Sequence, residues 1–415
     1  MTGGGAIGAS GVVWMGPAYD RGGYGAVTRN YLLGLKRIGF PVKLLAFGPE
    51  HAEIDPDVVR ELRALERASV GSRPALVVHA TPGTFTLAPP FGFVSRIGCT
   101  IFETDRIPES WVGLCGAMDE IWVPSRFNVS TFSSSGVDPD KLKVIPYGID
   151  TADFSPAGVE RKPPFTFLYV CAFNWRKGLD LLLESFIEEF DRGEARLVMR
   201  VYSEGYQGVA GDEVQSVLYD AVESRLQKPP ESRPEVKILT EALSPADLKR
   251  LYETADLYIS TDRANGWGVP CQEAMALGVP AATIDWSGST EFMREGNSVL
   301  IHPEDELVPV DRRLTDAVPE LYAGHRWARV ESAEVRRAMR WAFENPEQLA
   351  AIGRKGREYV HSELGLDEVA RRVADRLSAL QPSVGARVLG AARLYRLWVW
   401  AIRARERRLR ARGLL

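Results

Sequence analysis

Short apolar runs rich in Val, Ile, Leu and aromatic residues alternate along this chain with longer stretches whose apolar positions follow helical spacing. Residues 11–15 (GVVWM) read as a strand, then comes a glycine-rich loop and a helix over 25–37. Further strands are expected at 41–47, 75–79, 97–102, 120–123 and 142–146. The alternation restarts with a strand at 165–171, a helix at 178–190, and strands at 196–202, 235–239, 256–260 and 280–284. Strands separated by helices build parallel sheets covered on both faces. The polar stretch 150–164 holds three prolines and reads as a linker between the two runs. The pattern therefore predicts two doubly wound α/β domains. Residues 1–155 make the first, 156–364 the second, 365–382 a helix returning to the first, and 383–415 a tail.

Length and charge agree. At 415 residues the chain exceeds what one core usually fills. A formal net charge of −4 argues against a nucleic-acid binder. No apolar stretch reaches the roughly 18 residues of a membrane span, and the N-terminus lacks the features of a signal peptide. Cys99, Cys115, Cys171 and Cys271 form no C-x-x-C pair and are expected to be buried, reduced thiols. With scattered histidines as well, neither a metal nor a cofactor is expected.

In doubly wound sheets, ligands bind beyond the carboxyl ends of the strands, so the loops after strands are the informative ones. Three stand out. Residues 16–25 (GPAYDRGGYG) follow the first strand and lead into a helix, a setting that suits a phosphate. The loop fits neither a Walker pattern nor G-x-G-x-x-G. Arg176 and Lys177 stand just before a helix, where cations oppose the helix dipole unless an anion lies between them. Residues 261–278 (TDRANGWGVPCQEAMALG) run from a strand through glycines into a helix opened by Pro270, with Glu273 in its first turn facing the cleft.

These loops carry a resemblance. GGYG at 22–25, NWRKG at 174–178 and NGWGVPCQEA at 265–274 resemble the motifs of the retaining glycosyltransferases of family four. FETDRIP at 102–108, VPS at 123–125, VIPYGID at 144–150 and WSGSTEF at 286–292 add to the likeness, which extends over most of residues 11–380. The resemblance implies the GT-B fold, with two Rossmann-like domains facing a central cleft. It also implies transfer of a sugar from a nucleotide-diphosphate sugar, of GDP-mannose or UDP-sugar type, to a hydroxyl of a glycan or lipid-linked acceptor. Configuration is retained and no metal is needed.

By the same resemblance, Gly22, Gly23, Asn174, Arg176, Lys177, Gly266, Trp267, Gly268, Val269 and Glu273 would bind the donor, Glu273 through the ribose. His79, Glu103, Asp105, Lys177 and Asn265 would serve catalysis, with Lys177 neutralising the departing diphosphate. Tyr24, Ser125 and Arg126 would meet the acceptor. Two positions depart from the family pattern. Asn265 stands where the first glutamate of a paired-glutamate loop is usual, and Cys171-Ala172 where Gly-Arg is usual. One phosphate-binding cation is thereby missing, and Arg176 is its expected substitute. A nucleotide-sugar epimerase, a phosphorylase and a non-catalytic glycan- or nucleotide-binding protein are the alternatives on the same fold.

The tail changes the reading of the charge. Residues 383–415 hold nine arginines and one acid, Glu406, and carry +8, which leaves −12 for residues 1–382. On a helix, Arg393, Arg396, Arg403, Arg407 and Arg410 form a stripe opposite Leu394, Trp398, Ile402 and Leu409. A basic amphipathic helix of this kind suits an anionic membrane surface, so peripheral attachment at the inner face of the cytoplasmic membrane is expected. A helix packed on the protein or docked on a partner is the alternative.

Overall fold

The computed structural model describes residues 8–51, 54–90, 92–156, 158–159, 161–203 and 209–381. Strands β1 (Gly11–Gly16), β2 (Val42–Ala46), β3 (Pro74–His79), β4 (Arg96–Cys99), β5 (Glu120–Val123) and β6 (Leu142–Val144) form one parallel sheet, ordered β2-β1-β3-β4-β5-β6. Strands β7 (Phe165–Ala172), β8 (Ala195–Tyr202), β9 (Glu235–Leu239), β10 (Leu257–Ser260), β11 (Ala281–Ile284) and β12 (Val299–Ile301) form a second, ordered β12-β11-β10-β7-β8-β9. Every residue of β1, β3, β5, β10 and β11 is buried, as strands covered by helices on both faces require.

The helices that cover the sheets are α1 (Gly23–Arg37), α2 (Pro56–Arg67), α3 (Glu109–Gly116), α4 (Arg126–Ser134), α5 (Leu179–Glu189), α6 (Val214–Val222), α7 (Pro245–Glu253) and α8 (Val269–Ala276). After β12 comes a clasp not anticipated from the sequence. It holds strands β13 (Val308–Pro309) and β14 (Arg326–Trp327), an antiparallel pair, and the short helices α9 (Arg312–Thr315) and α10 (Pro319–Tyr322) between them. Helices α11 (Ser332–Glu344), α12 (Pro346–Glu363) and α13 (Leu366–Ser378) follow. Helix α13 packs on α1 so closely that a Cβ on Gly34 would lie 3.0 Å from that of Ala370, and Arg376 pairs with Glu120 of β5. The chain thus ends its described part against the first sheet.

The second sheet has the dinucleotide-fold order. From β7 the chain proceeds outward through β8 and β9, then returns to the other side of β7 with β10, β11 and β12. The reversal places a crevice beyond the carboxyl ends of β7 and β10, where such sheets take their ligands. The loops 173–178 and 261–268 issue from those two ends.

Strand β4 stops at Cys99, short of the expected 102, because residues 100–107 leave the sheet and cross to the second domain. All four cysteines are buried and free. Among the described residues, no helix is long and apolar enough to cross a membrane. The tail 383–415 and its expected basic helix lie outside the described residues.

Candidate active site in the cleft between two sheets

The loop after β7 is shaped by its own side chains. Asn174 Oδ1 accepts from the Arg176 amide at 2.9 Å and caps a single 3-10 turn, Trp175–Lys177. Gly178 follows in the left-handed region at φ 61°, and a Cβ there would lie 2.1 Å from the Thr261 carbonyl oxygen. Glycine is therefore what lets this loop and the loop after β10 touch. Behind the turn, the Arg313 guanidinium of α9 stacks on Trp175 at 3.7 Å and pairs with Asp180 at 3.1 Å.

Both cations of this loop have acid partners, which revises the expectation of an unpaired cation couple. Lys177 Nζ donates to Asp262 Oδ2 at 2.6 Å. Asp262 is buried and also accepts from the Tyr169 hydroxyl. Arg176 reaches across the cleft to Glu103 at 3.0 Å, while its Nη1 donates to the Ala264 carbonyl at 2.6 Å. Burial opposes the Arg176 charge, but Glu103 and its other acidic neighbours hold its pKa above the ordinary value. Arg176 is thus engaged by Glu103, while its buried Nε has no hydrogen-bond partner. Neither Asp262 nor the Arg176–Glu103 pair was found from the sequence; only the position of Asp262 just beyond β10 hinted at it.

The loop after β10 carries the unsatisfied groups. Asn265 is 3% exposed, and neither its Oδ1 nor its Nδ2 has a hydrogen-bond partner. Buried amides are rarely left unpaired, so this one points to a ligand. Its backbone N–H donates to Ser287 Oγ at 3.0 Å. Ser287 is the one non-glycine residue with a positive φ, 77°, among the described residues. That strained backbone lies beside the site, where strain tends to collect. A Cβ on Gly266 would come within 2.1 Å of Ile101 Cγ1 in the first domain. Gly268, at φ 98°, opens α8.

Trp267 is less open than expected for a sugar contact. Trp267 is buried, its Nε1 donates to Gln272 at 2.9 Å, and Gln272 in turn donates to the Tyr147 carbonyl at 2.8 Å. Trp267 thus ties the two domains. Val269 is the first residue of α8, so Pro270 is second and Glu273 lies in the second turn rather than the first. Glu273 accepts from the Tyr252 hydroxyl at 2.7 Å. Burial pushes its carboxyl up to about 7, against the lowering effect of that hydroxyl.

From the first domain, His79 ends β3 and is 0% exposed. Its Nδ1 shares a hydrogen bond with Thr28 Oγ1 at 2.8 Å, and Nε2 has no partner. Burial pushes its pKa down to about 3, so the imidazole is neutral at physiological pH. Tyr24 lies 5.2 Å and Tyr147 6.3 Å from it, ring to ring, and Tyr147 lies 5.5 Å from Trp267. This aromatic line joins His79 to the loop after β10. Tyr24 also meets Thr100 Oγ1 at 3.3 Å, and Glu103 is close enough to raise the pKa of Tyr24 and Tyr147, adding to burial.

The remaining assigned residues are placed differently. In the glycine loop, Gly23 is open around its Cβ position, Gly22 N–H donates to Asp20 at 2.5 Å, and Gly25 is held against the Asp20 carbonyl. Ser125 is buried and caps α4 by accepting from the Asn128 amide at 3.2 Å. Arg126 is exposed and pairs with Glu291 of the second domain at 3.2 Å. Asp105 accepts from the Arg326 amide at 2.8 Å and pairs with Arg106, which turns it toward the clasp. The structure therefore brings His79, Tyr24, Glu103, Arg176, Lys177, Asn265 and Gly266 to the junction of the sheets. Ser125, Arg126 and Asp105 serve caps and contacts between domains. Among the described residues, no three of His, Cys, Asp and Glu converge to hold a metal ion.

Comparison with known proteins agrees with this geometry. Residues 164–322 match the family model of glycosyl transferases group 1. The chain is 24% identical over 194 residues to one of the subunits of human phosphatidylinositol N-acetylglucosaminyltransferase, covering 46% of this chain and 37% of that protein. It is 22% identical over 260 residues to the D-inositol 3-phosphate glycosyltransferase of Acidothermus cellulolyticus, covering 58% of this chain and 55% of that protein. The matched stretch thus spans about half the length of these relatives or less. Among solved structures, the sucrose-phosphate synthase of Thermosynechococcus elongatus superposes with a TM-score of 0.63 at 14% identity, over 88% of this chain and 98% of that one. Anabaena HepE in complex with UDP-glucose gives 0.59 at 15% identity, over 89% and 99%. Over residues 164–322 the chain is thus similar to the group 1 glycosyl transferases, and its two six-stranded parallel sheets have the arrangement of a GT-B fold.

Proposed function

We propose that the protein transfers a sugar from a nucleotide-diphosphate sugar to a hydroxyl of a glycan or lipid-linked acceptor, with retention of anomeric configuration. The observation that carries this reading is the pair of buried side chains with unsatisfied polar atoms near the junction of the sheets, Asn265 from the second domain and His79 from the first, with the paired cation Lys177 in the same region. Buried polar groups are seldom left unpaired, because desolvation without a hydrogen bond is costly. A sugar offers hydroxyls on several sides and satisfies both.

The diphosphate lies beyond β7 and β10. Lys177 has three donors, of which Asp262 takes one, so the others meet the diphosphate oxygens. Charge grows on those oxygens as the bond from the anomeric carbon to the phosphate oxygen breaks, and a fixed cation stabilises it. The acceptor oxygen bonds to the same face of that carbon, and its proton passes to the departing diphosphate. His79 stays neutral and is too weak a base to take the proton, so it serves as a hydrogen-bonding group to the sugar. Glu273 accepts from the ribose hydroxyls, and Tyr252 fixes its orientation. Both relatives are named as transferases to inositol-containing acceptors, which supports a hydroxyl acceptor.

Incubation with a panel of nucleotide sugars tests the reading. Slow release of nucleoside diphosphate and free sugar of unchanged anomeric configuration is expected. Epimerised donor, or binding with no turnover, would replace it by one of the alternatives. Lys177→Ala should lower turnover by more than about 10²-fold, the scale of deleting one preorganised charge. Near-normal turnover in that variant removes Lys177 from the leaving-group role.

A further inference from the structure

Arg200 lies on β8, two residues before the strand ends at Tyr202. It is 7% exposed, and its Nη1 is buried with no hydrogen-bond partner. Among the described residues, no acid pairs with it. Its guanidinium lies 5.6 Å from the centre of the Tyr202 ring, so the side chain runs toward the carboxyl end of the strand, where the crevice opens. A buried guanidinium with an unpartnered nitrogen is destabilising, and among the described residues nothing in the packing of the sheet asks for one.

The strand register shows what it faces. Tyr258 pairs with Leu168, Arg200 with Val170, and Tyr202 with Ala172. Paired residues on parallel strands share a face, and so do alternate residues of one strand. Tyr258, Arg200, Ala172 and Tyr202 therefore share one side of the sheet. Tyr258 packs on Tyr252 at 5.7 Å, and Tyr252 holds Glu273, the group assigned above to the ribose. Strand β8 lies beyond β7 as seen from β10 and α8. A nucleoside whose ribose is held at Glu273 and whose diphosphate turns toward Lys177 extends its base over β7 and β8, to Arg200.

We infer that Arg200 reads the nucleobase of the donor and that the base it selects is guanine. An arginine fork donates two parallel hydrogen bonds, and guanine offers two adjacent acceptors, O6 and N7, on one edge. Uracil places an N–H donor beside its O4, and adenine places an amino group beside its N7, so neither takes both arms. The inference rests on the nucleotide-sugar reading of the same cleft and adds the identity of the base.

Binding of GDP, UDP and ADP to the full chain, by titration calorimetry and thermal shift, tests it. The wild type should bind GDP at least roughly tenfold more tightly than UDP, within the range of one bidentate base contact. Arg200→Met should bring the two within threefold, leave UDP affinity nearly unchanged, and raise the ligand-free Tm, because a buried guanidinium with an unpartnered nitrogen is gone. A purely structural arginine would not give opposite signs for stability and GDP affinity. Arg200→Lys keeps the charge without the fork and should lose the preference for GDP as well, which covers the case in which the methionine variant folds poorly. UDP binding as tight as GDP in the wild type, or an undiminished GDP preference in both variants, overturns the inference. Failure of all three nucleotides to bind would instead overturn the nucleotide-sugar reading on which it stands.

Discussion

Asn174 and Asn265 are the same residue type put to opposite ends. Asn174 is engaged by a backbone amide and builds the turn that presents Lys177, whereas both side-chain atoms of Asn265 are left without partners. The sequence offered both as contacts to the donor, since it records that an amide is present and not what the amide touches. Glu273 shows the same division with a consequence for pH. Its carboxyl is pushed up to about 7, well above the ordinary 4.5, because burial outweighs the lowering effect of the Tyr252 hydroxyl. Between those two values the folded protein holds a proton that the unfolded chain has lost. The contribution of Glu273 to stability therefore falls as pH rises through that window. In the ribose contact proposed for Glu273 the hydroxyls donate to the ionised form, so nucleotide binding would expel the proton below pH 7. Nucleoside diphosphate affinity should accordingly weaken by up to about tenfold per pH unit as pH falls from 7 to 5. Glu273→Gln should bind more weakly at pH 8 and lose that pH dependence. Titration calorimetry across pH checks both, and an unchanged pH slope in the variant would remove Glu273 from the ribose contact.

At the scale of elements, strands were the legible part and contacts between domains were not. Apolar runs located β1–β3 and β5–β11 to within a residue or two, and most of these strands are buried on both faces, although the edge strand β9 is not. Strand β12 is three residues long, too short to show a period, and β13 and β14 have two residues each. The clasp they belong to is fixed by partners more than two hundred positions away. Thr104 Oγ1 meets His325 Nδ1 at 2.7 Å, and Phe102 stacks on Tyr322 at 5.8 Å. Such pairings leave no local trace. Gly266 is the point where this closeness is sharpest, since its missing Cβ makes room for Ile101. Its φ is not in the left-handed region, so alanine is acceptable to the backbone and only the contact forbids it. Gly266→Ala should hold the domains apart and reduce donor turnover by at least about tenfold, as misplacement of a catalytic group by about 1 Å does. Ile101→Ala removes the atoms it strikes, so the double variant should recover most of the loss. If the double variant is as slow as Gly266→Ala alone, the effect belongs to the loop itself and not to the approach of the domains.

The whole molecule is polarised in charge, and the near-neutral sum of −4 conceals it. A body of −12 is repelled by an anionic surface, whereas a segment of +8 with tryptophans at 398 and 400 is attracted to one. Each arginine near an anionic bilayer contributes on the order of 1 kcal/mol within a Debye length, so even a few engaged at once suffice for reversible attachment. We propose that residues 383–415 bring the cleft to a membrane that presents a lipid-linked acceptor. Full-length protein should co-sediment with vesicles containing phosphatidylglycerol, lose most of that binding in about 0.5 M salt, where screening is strong, and ignore vesicles of phosphatidylcholine alone. Replacing Arg393, Arg396, Arg403, Arg407 and Arg410 together by glutamate keeps the chain length and reverses the stripe. That variant should lose vesicle binding by at least roughly tenfold while its hydrolysis of a soluble donor stays within about twofold, since the groups proposed for catalysis lie in residues 79–273. Undiminished vesicle binding would show that the stripe does not face lipid. Loss of donor hydrolysis together with retained vesicle binding would assign the tail to the protein's own surface, where its arginines offset the acidic body.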